Sequence, residues 1–309
     1  MIAVASLLLS IHMIAASIAS IGPLIGVWLE GPSARGDRVA RRLALTLAEH
    51  SLVALAITSA VGVFQGWLAW NDQYQAAVAK LGGKVFYGVL EVLFSVVLMT
   101  LIVVSWHRQH RRDSESDSLA PLQGRWLRVT LAILAGSNLV YHFPVLMVVL
   151  SRLVTGEDPA STVLTAADFR QRLIEPAVFA RCLHFWLASI AVTGVWLLAI
   201  AWRVGGDDAA PIARWGGRIA VIPTLLQIPC GIWLLSELPP LRQSRLLGGD
   251  GLATAAFAAS VGLAMWLLNQ LAAIGFGETE RPRLARAAMT LVAVIALMAY
   301  VLRSANGSL

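Results

Sequence analysis

Eight long apolar segments dominate this sequence. They cover residues 4–29, 43–70, 85–106, 127–150, 177–202, 217–236, 252–275 and 287–302. A helix needs roughly 20 mostly apolar residues to cross the hydrocarbon core of a bilayer, and only the last segment falls short of that length. Most of the segments lack the period-two alternation of a transmembrane β-barrel. The sequence therefore predicts an all-α membrane protein with eight transmembrane helices.

The overall composition argues against other classes of protein. The chain is 58% hydrophobic and only 14% charged, whereas soluble globular domains carry about 25% charged residues. These values exclude disorder and disfavour an ordinary cytosolic enzyme. Cys182 and Cys230 lie within apolar segments, so no disulfide framework is expected. The first basic residue, Arg35, follows the first apolar segment, which favours a permanent helix over a cleaved signal peptide.

The distribution of basic residues predicts the orientation in the membrane. The connections after segments 1, 3, 5 and 7, counted with the first turn of the segment that follows each, carry 15 of the 24 lysines and arginines. Because cytoplasmic connections are enriched in basic residues, these four are predicted to be cytoplasmic and both termini to lie outside. The net charge of +6 is then explained by residues that anchor helices, and binding of nucleic acid is not expected.

An internal repeat divides the chain. Residues 12–22 read H-M-I-A-A-S-I-A-S-I-G, and residues 184–194, at a constant offset of 172, read H-F-W-L-A-S-I-A-V-T-G. This repeat predicts two parallel four-helix units, 1–154 and 177–309, joined by an extracytoplasmic connection, 155–176, which is the only one predicted to be large enough for a small cap. The alternative is chance similarity, since small residues are common wherever membrane helices pack closely.

A few ionisable residues lie within the apolar segments, where such groups indicate function by default. They are His12, Glu49, His50, Glu91, His142 and His184. In the predicted orientation, Glu49 and His50 lie near the inner end and are candidates for a proton path. The other four share one layer in the outer half of the membrane.

That outer layer has the chemistry of a haem site. Neutral imidazole ligates iron, and haem is held in membrane proteins by single histidines on separate helices. His12, His142 and His184 are therefore candidate metal ligands, and the small residues at 16–17 and 188–189 would leave room for the macrocycle. The alternative for each histidine is a hydrogen bond to a neighbouring helix. Arg181, one turn outward of His184, is a candidate partner for a haem propionate or else an interfacial arginine.

Several blocks of the sequence resemble subunit I of the cytochrome bd-type quinol oxidases. In that family, an N-P-V-A…K-F-V-H-x-V-A-S-x-Y-V-T-G pattern carries a haem b ligand. Here the corresponding residues are E-P-A at 175–177, Arg181, His184, A-S at 188–189 and V-T-G at 192–194. W-H-R at 106–108 is similar to the family's W-D-R, G-S-N-L at 136–139 matches its G-S-N-L, and His12 falls where its first-helix ligand is expected. The resemblance covers the first five segments.

The chain also departs from that family. The family's haem-ligating glutamate would fall at Tyr87, and Glu91, one turn later, is the candidate substitute. The connection at 237–251 spans about fifteen residues, so the family's long quinol-binding loop is absent. Its R-x-M motif is not found in 252–275, where only Met265 could supply an axial ligand. The sequence thus looks like a shortened, divergent relative.

The resemblance implies a haem b-binding cytochrome of a respiratory chain in the bacterial inner membrane. It implies one to three non-covalent b-type haems, with a d-type haem as an alternative for one of them. Electrons would pass from an external donor such as a c-type cytochrome to haem and, in an oxidoreductase subunit, to oxygen. The alternative is a non-catalytic, haem-bearing anchor that relays electrons among other membrane subunits. The two differ in whether an iron keeps an open coordination position.

Overall fold

A computed structural model describes residues 2–306 except 116–118, 159 and 161. All regular structure in this part of the chain is helical, and eight helices are long and apolar enough to cross a membrane, as predicted. The long helices are α1 (Ile2–Ala34), α2 (Arg38–Leu68), α4 (Lys84–Ser114), α5 (Arg125–Val154), α7 (Pro176–Val204), α8 (Gly206–Ser236), α10 (Gly251–Phe276) and α11 (Arg281–Asn306). The short ones are α3 (Asp72–Leu81), α6 (Ala166–Leu173) and α9 (Pro240–Ser244).

The helices extend beyond the apolar segments that predicted them. The largest difference is in α8, which begins at Gly206 with Asp207 and Asp208 in its first turn, whereas its apolar segment begins at 217. Acidic side chains are favourable at a helix N-terminus. A helix also satisfies its own backbone hydrogen bonds, so it continues into the polar boundary of the membrane without cost. Hydropathy therefore reports the membrane-embedded part of each helix and not its ends.

Two connections, not one, form a cap at one end of the bundle. Helix α3 packs against α4 and α5, and the amide of Leu164 donates to the carbonyl of Lys80 at 2.8 Å. The Lys84 ammonium then donates to the Leu164 carbonyl at 2.5 Å. The prediction that 155–176 alone would form a cap is therefore wrong. Helix α3 escaped detection because it is short and polar.

An ion pair joins the two ends of the 155–176 connection to each other. The Arg172 guanidinium donates to Asp158 at 2.5 and 2.9 Å. These hydrogen bonds hold the pKa of the Asp158 carboxyl below its ordinary value. Because that pKa is lowered by folding, the pair stabilises the fold at neutral pH, and its contribution is lost as the pH falls through the lowered pKa.

The two predicted four-helix units make matching contacts. Helix α1 packs against α2 and α5, and α7 packs against α8 and α11 in the same way. The units meet through α1 and α7, where the Ser17 hydroxyl donates to that of Ser189 at 3.2 Å. These two serines are equivalent in the repeat, so their contact puts both units at the same depth, as parallel repeats require. One continuous apolar cluster contains buried residues from both units, so the units share part of their core.

Two equivalent glycines allow the first two helices of each unit to approach closely. A Cβ at Gly22 of α1 would lie 2.0 Å from the Ser51 hydroxyl of α2. A Cβ at Gly194 of α7 would lie 2.9 Å from both the Ala220 Cβ and the Gly216 carbonyl of α8. Any larger side chain would separate the paired helices, so packing explains why the repeat ends in glycine.

We expect Gly194→Val to lower the free energy of unfolding by about 1–3 kcal/mol, the usual cost of overpacking a core. Gly262→Val in α10 is the matched control, because a Cβ at Gly262 meets nothing within 4 Å. Thermal unfolding in detergent measures both variants. Equal loss of stability in the two would contradict the close approach of α7 and α8.

Candidate functional site

Four ionisable residues lie at the cap end of the bundle, on four different helices. His12, Glu91, His142 and His184 are each 7 to 12 residues from the helix end nearest the cap. At 1.5 Å per residue this places them roughly 10–18 Å from that end. The structure thus brings the predicted layer together in depth. The orientation of each side chain within the layer depends on its contacts.

Helix α2 sets the orientation of His12. Its Nδ1 lies 3.0 Å from the carbonyl oxygen of Thr58, and the Thr58 hydroxyl donates to the His12 carbonyl at 3.2 Å. Since a carbonyl only accepts, Nδ1 carries the proton and Nε2 keeps its lone pair. A Cβ at Gly62 would lie 3.0 Å from Cε1 of the ring, so glycine leaves space for the imidazole.

Glu91, the candidate substitute for the family's ligand glutamate, pairs with His142. Its carboxylate accepts from Nδ1 of His142, which again leaves Nε2 as the basic nitrogen. The Asn138 amide donates to the Glu91 carbonyl at 3.0 Å and to the Ser95 hydroxyl at 2.9 Å, which ties α5 to α4 beside the pair. The side chains of His142 and Glu91 are 41% and 25% exposed, so the pair lies at the outer surface of the bundle.

His184 has an unsatisfied nitrogen. Its Nδ1 is buried and has no hydrogen-bond partner among the described residues. Buried polar atoms without partners are rare in folded proteins and call for an explanation, such as an absent ligand, ion or water. Among the candidate ligands His12, His142 and His184, only His184 has an Nδ1 atom without a hydrogen-bond partner in the described part of the chain.

The small residues beside His12 and His184 have a structural role. They were predicted to leave space for a macrocycle, but Ser17 and Ser189 contact each other and close the gap between α1 and α7. His12 and His184 precede these serines by five residues, which is about 140° around a helix. Both histidines are thus turned away from the α1–α7 contact, so they are not placed to share one iron between these helices.

The two remaining haem candidates, Arg181 and Met265, have other surroundings than those predicted. Arg181 donates to Glu157 at 2.8 Å, and the same carboxylate also pairs with Arg152 and Arg242. This guanidinium, predicted to bind a propionate, is therefore bound to the 155–176 connection. Met265 is 49% exposed on α10, which packs against α8 and α11, whereas His184 lies on α7. The structure does not bring Met265 to His184.

The residues predicted as a proton path point in different directions. Glu49 pairs with His107 of α4 at 2.9 Å. His50 accepts a hydrogen bond at Nδ1 from the Trp196 indole of α7 at 3.1 Å. An indole only donates, so the neutral His50 ring carries its proton on Nε2 and lacks the ligand-like tautomer of His12. Because adjacent residues on a helix point in different directions, Glu49 contacts α4 and His50 contacts α7, and the two side chains do not pair with each other.

A buried ion pair escaped the sequence analysis. Arg128 of α5 donates to Glu30 of α1 at 2.5 and 3.0 Å, and their side chains are 1% and 2% exposed. The Arg128 guanidinium also lies 4.0 Å from the ring centroid of Trp106. Both charged residues fall at the margins of apolar segments, where they resemble interfacial anchors. The tertiary structure shows that the two side chains are buried and in contact with each other.

No protein-family model matches the chain, and no curated protein matches its sequence. Within the described residues, no group of three or more histidine, cysteine, aspartate or glutamate side chains could hold a bare metal ion. Both cysteines are buried and free. The functional argument therefore depends on the individual imidazoles and their partners.

We expect Glu30→Leu to cost about 3–5 kcal/mol in unfolding free energy, because it leaves Arg128 buried without a counter-ion. The double variant Glu30→Leu/Arg128→Met should recover most of that loss. Asp208→Ala, which breaks the exposed pair with Arg42, is the control and should cost under about 1 kcal/mol. A double variant as unstable as the single one, measured by thermal unfolding in detergent, would count against the buried pair.

Proposed function

We propose that this chain is a haem b-binding membrane cytochrome of a bacterial respiratory chain, related to subunit I of the bd-type oxidases. The observation that carries the proposal is His184, whose buried Nδ1 lacks a partner at the centre of the sequence block that resembles the family's haem-ligand region. Bound haem would supply one-electron transfer at its iron. The haem is non-covalent, since the sequence lacks a C-x-x-C-H motif.

The partners of the other two imidazoles support ligand roles. Ligating histidines usually donate their second ring nitrogen to a carbonyl or carboxylate, which sets the tautomer and makes the ligand more basic. His12 donates from Nδ1 to the Thr58 carbonyl, and His142 donates from Nδ1 to the Glu91 carboxylate. His12 and His142 therefore present Nε2 for an iron. His184 differs from them, because it has no such partner among the described residues and its Nδ1 is the nitrogen left free. Thr58 and Glu91 are then positioning residues and not ligands.

An oxidoreductase is favoured over a relay by the orientation of His12 and His184. Both are turned away from the contact between their helices, so each is expected to serve a separate iron. An iron held by one histidine as its only protein ligand would have a coordination position available to oxygen. The alternative, a non-catalytic anchor in a larger complex, is favoured by the His142–Glu91 pair. Ionisable groups exposed to lipid are costly, so a neighbouring membrane subunit would cover this pair.

Purified protein should show the Soret absorbance of a b-type haem that acid–acetone extracts. We expect His184→Ala and His12→Ala each to remove at least one spectral component, and added imidazole to restore part of it. His50→Gln is the control and should keep the full spectrum, since its ring has the wrong tautomer for an Nε2 ligand. Wild-type protein without Soret absorbance would refute haem binding. Carbon monoxide should shift the spectrum if an iron is open, and no shift would favour the relay.

We further propose that electrons enter from a protein outside the membrane, such as a c-type cytochrome. The candidate ligands lie near the cap, and short distances favour electron transfer from a docked donor. A quinol would also need a base for its protons. Helices α8, α10 and α11 carry no buried acid or histidine among their described residues. The alternative is a quinone site on α2 and α4, where Glu49, His50 and Glu91 could serve as the base.

Rapid mixing of the oxidised protein with a reduced c-type cytochrome should therefore reduce the haem faster than mixing with a short-chain quinol. The rate with the cytochrome should fall as ionic strength rises, because screening weakens electrostatic docking. Faster reduction by the quinol, blocked by a quinone-site inhibitor, would show that the donor is a quinol and leave haem binding intact.

A further inference from the structure

A groove lined with basic residues lies at the end of the bundle opposite the cap. It runs between the first turns of α2 and the last turns of α4 and has a volume of about 260 Å³. The residues that line the groove include Arg38, Arg41, Arg42, Leu45, Trp106 and His110. Neither the haem proposal nor the electron donor involves this groove.

The charged groups on the floor of the groove are paired with each other or with carbonyl groups. Arg41 is buried and donates to the Asp113 carboxylate at 2.8 Å, to the Ser33 carbonyl at 3.1 Å and to the Ala120 carbonyl at 2.8 Å. The same Asp113 oxygen accepts from the amide of the Gln109 side chain at 3.1 Å. Most hydrogen-bond donors on the floor of the groove are therefore already used within the protein and are not available to a ligand.

The rim of the groove carries the available positive charge. Arg38 is exposed and has no ion pair with any described residue. Arg42 donates to Asp208 of α8 at 2.8 Å but remains 59% exposed. His110 adds an exposed ring nitrogen. Leu45 and Trp106 make the deeper wall apolar, so the groove is cationic at its mouth and apolar within.

We propose that this groove binds the phosphate of an anionic phospholipid. Basic pockets between transmembrane helices at the membrane surface bind such headgroups, and two guanidinium groups match the geometry of phosphate oxygens. Arg38 and Arg42 hold the phosphate at the rim, and the glycerol lies against Leu45. The wall at Trp106 backs onto the buried Arg128–Glu30 pair, so a bound lipid stiffens the junction of α1, α2, α4 and α5.

Native mass spectrometry of the full-length protein in detergent tests the proposal with phosphatidylglycerol, phosphatidylcholine and inorganic phosphate as separate probes. We expect phosphatidylglycerol to bind more tightly than either of the others. Arg38→Gln/Arg42→Gln should weaken it roughly thirtyfold, the effect of two arginines near a membrane surface. Arg108→Gln is the matched control, an exposed arginine on α4 outside the groove, and should leave binding unchanged.

Three outcomes would overturn the proposal. Equal binding of phosphatidylcholine would show that the headgroup charge is not recognised, and equally tight inorganic phosphate would identify a free-anion site. An equal loss in Arg108→Gln would indicate a diffuse surface charge. If the double glutamine variant does not fold, Arg38→Lys/Arg42→Lys replaces it. That variant should keep part of the affinity, since lysine retains the charge but not the two-pronged contact.

Discussion

The contact between α1 and α7 determines the arrangement of the other helices. Ser17 and Ser189 meet at 3.2 Å, which requires small side chains on both helices. Because membrane helices associate mainly by close packing and not by a hydrophobic driving force, small residues at this point allow the two units to dock. The contact aligns the units in depth and also turns His12 and His184 away from each other.

The low dielectric of the membrane interior explains why the polar groups here are paired. Unpaired charges are costly in this environment, and Arg128 with Glu30 and His142 with Glu91 each join two helices. Nine buried side-chain atoms of the described residues lack a hydrogen-bond partner, and the Nδ1 of His184 is the only histidine nitrogen among them. Because a neutral imidazole nitrogen is a good ligand for iron, this atom is the main physical argument for a ligand at this end of the bundle.

The two ends of the bundle have different chemistry. The cap end holds the candidate iron ligands beneath α3 and the 155–176 connection. That connection is bound to α5 by the Arg152–Glu175 pair and to α7 by the Arg181–Glu157 pair. The opposite end holds the arginine-lined groove between α2 and α4. Redox partners and lipids would thus act at opposite ends of the same eight helices, and the buried Arg128–Glu30 pair stabilises the structure behind the groove.

The sequence by itself determined the eight helices and the relative depth of the candidate histidines along them. Hydropathy and residue spacing are local properties of the chain, so the number of helices and the position of a residue along its helix can be predicted from them. The tertiary structure decided which side chains face each other. In the folded chain, Glu49 pairs with His107 and not with His50, and Glu91 pairs with His142. Arg181 pairs with Glu157, and Ser17 lies in the contact between α1 and α7. These outcomes depend on the rotation of each helix about its axis. A membrane helix that is apolar on nearly all sides leaves that rotation unspecified until its neighbours pack against it.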